Sequence, residues 1–145
     1  MNSFERLVRA VVIQTLRDTG LAPSAAQIAG TLKASEPDIS SALHSLAERH
    51  RLALVPGTDK VWMAHPFSGV KTDFVVSIGK RRWFANCVWD GLSILALLGD
   101  GNLDTHSPAT GAPIQFRVSD GHVFGEALVH LLVPARRFWD DIGFT

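Results

Sequence analysis

Cysteine is nearly missing from this sequence: Cys87 is the only one in 145 residues. A single thiol excludes an intrachain disulfide and fits a reducing compartment. Net charge is missing as well, since 14 Lys and Arg balance 14 Asp and Glu. That argues against nucleic acid in bulk or an anionic membrane as the partner. No apolar run approaches the roughly 18 residues that a spanning helix needs. The N-terminus, Met1 to Arg6, mixes its charges and lacks the shape of a signal peptide, which predicts a cytoplasmic protein. Internal repeats and low-complexity tracts are absent. The six histidines, at 44, 50, 65, 106, 122 and 130, form no zinc-binding spacing with each other or with Cys87. No G-x-S-x-G, phosphate loop or G-x-G-x-x-G occurs. What is present is hydrophobic content of 46% against 19% charged, enough for a real core.

The first half reads as three helices and a hairpin. Phe4, Leu7, Val8, Val11 and Leu16 follow helical spacing over residues 3–18, and Gly20 and Pro23 close that helix. Ser24 to Gln27 is a capping-box pattern opening a second, short helix. Ser35-Glu36-Pro37-Asp38 opens a third, with Ile39, Ala42, Leu43 and Leu46 as its apolar stripe. Residues 52–55 and 60–63 flank the turn Pro56-Gly57-Thr58-Asp59 as a hairpin. This is the order of a winged helix-turn-helix, with residues 38–49 in the recognition position. Its outward side chains (Asp38, Ser41, His44, Ser45, Glu48, Arg49) are not basic, and residues 1–66 carry seven cations against six anions. A scaffold that keeps the shape fits that balance better than a DNA-binding regulator, which stays as an alternative.

His65 to Gly69 breaks the pattern and marks a boundary, dividing the chain into residues 1–66 and 67–145. Residues 72–78 and 82–85 read as two strands, and residues 91–98 as a buried helix that starts near Asn86. A polar loop is expected over residues 102–111. Strands are expected at 114–118 and 128–133, with a turn at 119–122. The expected fold is α+β: a winged-helix-like three-helix unit, then a small mixed or antiparallel sheet packed on one helix. Cys87 and Asp90, three residues apart at a helix start, share a face. A thiol beside a carboxyl is a candidate nucleophile and proton carrier. An inert core cysteine is the alternative reading. The acidic pair Asp140-Asp141 reads as a solvated face.

Three stretches together resemble the alkylmercury lyases. They are Trp83-Phe84-Ala85-Asn86-Cys87-Val88-Trp89-Asp90, Thr105-His106-Ser107-Pro108-Ala109-Thr110-Gly111-Ala112-Pro113, and Val129-His130 with Pro134 through Ile142. Trp62 to Ser68 is similar to the same family. The resemblance implies protonolytic cleavage of a carbon–mercury bond, as in organomercurial detoxification. Cys87 would bind mercury, here substrate and product, and Asp90 would deliver the proton. Trp83, Trp89, His106 and Ser107 are candidate pocket residues. The family uses a second cysteine after the segment that residues 138–145 resemble, and this sequence shows only one. The resemblance therefore implies no resident cofactor but an exogenous small thiol in the missing role. Product would pass to that thiol or to a mercuric reductase. The alternative is a relative that captures a soft metal, organometal or small ligand at Cys87 without turnover.

Overall fold

The computed structural model describes residues 1–143. Phe144 and Thr145, the end of the stretch that carries the resemblance, lie outside the described residues.

Helix α1 spans Ser3–Thr19. Asn2 caps it, and Glu5 returns a bond to the cap amide, so two amides left without helical partners are satisfied reciprocally. Gly20 ends it in the left-handed conformation that lacks a penalty only for glycine. Helix α2 (Ala25–Leu32) has the expected capping box from Ser24 and Gln27. Helix α3 (Glu36–Glu48) is capped by Ser35, with proline in its first turn. Val8, Val12, Leu16, Ile28, Ile39, Leu43 and Leu46 pack these helices together and are fully buried. Strands β1 (Ala53–Leu54) and β2 (Val61–Ala64) form the expected hairpin.

His65-Pro66, joined by a cis peptide bond, is a two-residue turn, and Phe67–Ser68 is a third strand, β3, antiparallel to β2. Phe67 also makes an isolated bridge to Ala85. One continuous set of buried side chains runs from Val8 in α1 to Val118 in the second half of the chain.

The second sheet is antiparallel, with strand order β5-β4-β6-β7-β8. Its strands are β4 (Val75–Ile78), β5 (Arg81–Phe84), β6 (Gly101–His106), β7 (Pro113–Ser119) and β8 (His122–Phe124). Helix α4 (Val88–Leu98) lies across β4 and β6. The class is α+β, as expected.

Two expectations fail. Residues 102–106 are not loop but most of β6, a central strand. Leu103 and Thr105 point inward while Asn102, Asp104 and His106 point away, so a half-buried alternation hides in a polar composition. Residues 128–133 are not a strand. Gly125, at φ +132°, turns the chain after β8, and Leu128 is fully exposed. A run rich in leucine and valine forms no strand where no neighbour supplies its hydrogen bonds and cover. A 3-10 helix over Ala135–Asp140 follows, and Trp139 stacks on His50 with ring centres 4.3 Å apart.

Candidate functional site

Ala85 fixes the entry to the site. Its amide donates to Phe74 O (2.9 Å), and its carbonyl accepts from Thr72 Oγ1 (2.6 Å). Asn86 and Cys87 follow, and Cys87 is the N-cap residue of α4 in an extended conformation. Its carbonyl accepts the first helical bond, from Gly91 N–H at 3.0 Å. Asp90 sits one turn in, and is 8% exposed.

The helix start and its burial act on the thiol in opposite directions. Burial, the largest effect, pushes the Cys87 pKa up, and the nearby Asp90 charge pushes the same way. The backbone N–H groups of Asp90 and Trp89 pull it down. The net direction is up. Cys87 is therefore a thiol at neutral pH and carries a proton that a soft metal would have to displace.

The carboxylate of Asp90 is gripped on both oxygens. Asn86 Nδ2 donates to Oδ2 at 2.7 Å, and His65 Nδ1 lies 2.6 Å from Oδ1. Asn86 Nδ2 also reaches Phe67 O at 3.4 Å. The turn before β3 and the bridge from Phe67 to Ala85 thus bring residue 65 to residue 90. Neither His65 nor Asn86 stands out in the sequence as a site residue. A histidine 25 positions upstream carries no local signal, and Asn86 reads only as a helix boundary.

Unused hydrogen-bonding capacity collects at the same end of α4. Asn86 Oδ1 and Thr105 Oγ1 are buried without a partner. Thr105, 4% exposed, lies on the face of β6 that Leu103 directs toward α4. A Cβ on Gly91 would meet Leu103, and one on Gly101 would meet Leu95. The strand therefore runs toward the start of the helix as it goes from residue 101 to residue 105. Leaving such groups unpaired costs about 1–3 kcal/mol each, a cost that a bound polar group or water removes.

The other candidate residues differ in their surroundings. Trp83 is 3% exposed, and its indole N–H donates to Leu16 O (3.1 Å) and Arg17 O (2.9 Å) at the end of α1. Its ring packs between elements. Trp89 is 57% exposed on the first turn of α4. His106 ends β6 and is exposed, opposite Pro113. Ser107 exchanges backbone bonds with Ala112 and Gly111 in the loop that follows Thr105. Asp140 pairs with Arg137 at 2.8 Å within the 3-10 helix. Two clefts, of about 460 and 400 Å³, lie on the helical unit, lined by residues such as Val11 and Gln27, and Phe4 and Ser41. Among the described residues no cluster of three His, Cys, Asp or Glu side chains is placed to hold a metal ion. None of the described helices is long and apolar enough to cross a membrane.

Comparison with known proteins agrees with this architecture. Ten chains of solved structures match. One is the crystal structure of the mercury-bound form of MerB2, with a TM-score of 0.67 and 22% identity over 86% of this chain. The match covers 60% of that structure's chain, so the sequence spans under two thirds of its length. No curated protein sequence matches. The sequence model of the alkylmercury lyases matches residues 67–144, which include Cys87, Asp90 and all of the second sheet. With more than half of its residues inside that match, the chain belongs to the alkylmercury lyase family.

Proposed function

We propose that the chain cleaves carbon–mercury bonds by protonolysis in the cytoplasm, with Cys87 binding mercury and Asp90 delivering the proton. The observation that carries this reading is the buried Asp90 carboxylate, held on both oxygens one helical turn from a protonated thiol. Mercury is soft, and sulfur is the side-chain donor that suits it best.

The substrate arrives as R–Hg–SR′, the adduct of an organomercurial with a small thiol. Cys87 sulfur bonds to mercury, and its proton passes to the Asp90 carboxylate. Asp90 then protonates the carbon as the carbon–mercury bond breaks, and the hydrocarbon R–H leaves. Mercury stays between Cys87 sulfur and SR′. A second small thiol, R′SH, exchanges onto it, releasing Hg(SR′)₂ and restoring the Cys87 thiol. The product then goes to cellular thiol or to a mercuric reductase.

The test is the mass spectrum of the protein after one equivalent of phenylmercury, with and without excess small thiol, together with benzene release. Wild type releases benzene. Cys87→Ser neither binds phenylmercury nor releases benzene. Asp90→Asn binds the phenylmercury group and retains it, with turnover lower by about a hundredfold or more. Full cleavage by Cys87→Ser refutes the assignment. Binding by wild type without benzene shows capture rather than catalysis.

A further inference from the structure

The geometry points to His65 as a positioning residue that reloads Asp90 with a proton from solvent. Asp90 is buried, while the His65 side chain that touches it is 73% exposed. Nδ1 faces the carboxylate at 2.6 Å, which turns the rest of the ring toward water. Asn86 occupies the other carboxylate oxygen and cannot carry a proton through its amide. Imidazole can, because it takes a proton at one nitrogen and gives one at the other near neutral pH.

This inference rests on the proposed protonolysis and supplies the proton on the route where the Cys87 proton leaves with the small thiol. When R–Hg–SR′ exchanges onto Cys87, the thiol proton can depart with the leaving small thiol as R′SH. The resulting adduct, Cys87–S–Hg–R, then holds no proton for the carbon. A protonated His65 ring transfers its Nδ1 proton to the Asp90 carboxylate, giving neutral imidazole and a carboxylic acid. Asp90 passes that proton to the carbon, R–H leaves, and a small thiolate, R′S⁻, takes the position the carbon vacates, so that mercury stays on Cys87 as Cys87–S–Hg–SR′. Water reprotonates the exposed ring. One solvent proton is consumed for each bond broken, with no oxidant or reductant.

The experiment is a single turnover. Phenylmercury is loaded onto Cys87, the adduct is verified by mass, small thiol is supplied in excess, and benzene release is timed. His65→Asn places an amide nitrogen near the Nδ1 position and keeps a donor to Asp90, but it cannot relay a proton. His65→Ala removes both functions and leaves an opening to solvent. Both variants should load phenylmercury as wild type does and release benzene about a hundredfold more slowly. Free imidazole should restore much of the rate to His65→Ala and none to His65→Asn.

Wild-type rates in both variants would overturn the relay and leave the lyase reading standing. Slow release in His65→Ala that imidazole does not restore would also overturn it, reducing His65 to a brace. A loaded wild type that releases no benzene would overturn the lyase reading, and the relay with it.

Discussion

At the scale of the residue, the state of Cys87 follows from a contest between burial and the helix start, and burial wins. A cysteine poised for general reactivity would have the opposite balance. The rate of alkylation by iodoacetamide should therefore keep rising with pH beyond the ordinary thiol midpoint of about 8.5. Asp90→Asn should move that midpoint down, because it removes a negative charge that opposes ionisation and leaves the backbone N–H groups in place. A rate already on its plateau near neutral pH would refute this account. The pairing of Cys87 with Asp90 is legible in the sequence because both lie on one helical turn. The grip on Asp90 is not, because His65 reaches it through the β2–β3 turn, a contact that no local spacing encodes.

At the scale of the element, α4 is held against β6 closely enough that Gly91 has no room for a side chain. A Cβ there would lie 2.6 and 2.7 Å from the Leu103 methyl groups, and Leu103 is fully buried. Gly91→Ala gains about 0.5–1 kcal/mol in helix propensity. Overpacking a filled core costs about 1–3 kcal/mol, so the clash wins. Urea denaturation should show a net loss of about 1–2 kcal/mol on these magnitudes. The variant should also cleave organomercurials more slowly, because the start of the helix carries both Cys87 and Asp90. A Gly91→Ala protein of wild-type stability or better would contradict this packing. The elements themselves were unevenly readable. Caps announced α2 and α3, and a glycine turn announced the first hairpin, since those signals are local. Strand β6 was hidden because only Leu103 and Thr105 face the core, and residues 128–133 misled because hydrophobicity cannot say whether a partner strand exists.

At the scale of the whole molecule, the helical unit shares one continuous core with the sheet beside the candidate site. Its third helix is tied inward: Ser45 Oγ donates to Glu5 Oε1 at 2.8 Å, and His44 Nε2 meets Asp59 Oδ1 at 2.8 Å. Bonds from Ser45 and Asn2 hold the Glu5 carboxyl below its usual pKa, and bonds from Ser40 and His44 do the same for Asp59. Side chains that a DNA-binding helix would offer to bases are here engaged in holding the unit together, which favours the scaffold over the regulator. Trp83 joins this unit to the second sheet. It stands on β5, four residues before Cys87, and its indole N–H donates to two carbonyls at the end of α1. Trp83→Phe keeps most of the buried ring and removes that donor. Loss of a shared buried hydrogen bond costs about 1 kcal/mol, and Leu16 O keeps its bond from Gly20 N–H, so the protein should still fold. The expected result is a denaturation midpoint lowered by that amount, with phenylmercury loading onto Cys87 unchanged. If Trp83 instead lined the substrate site, loading would weaken while stability held. Measuring both in one variant separates a tryptophan that joins two units from one that binds substrate.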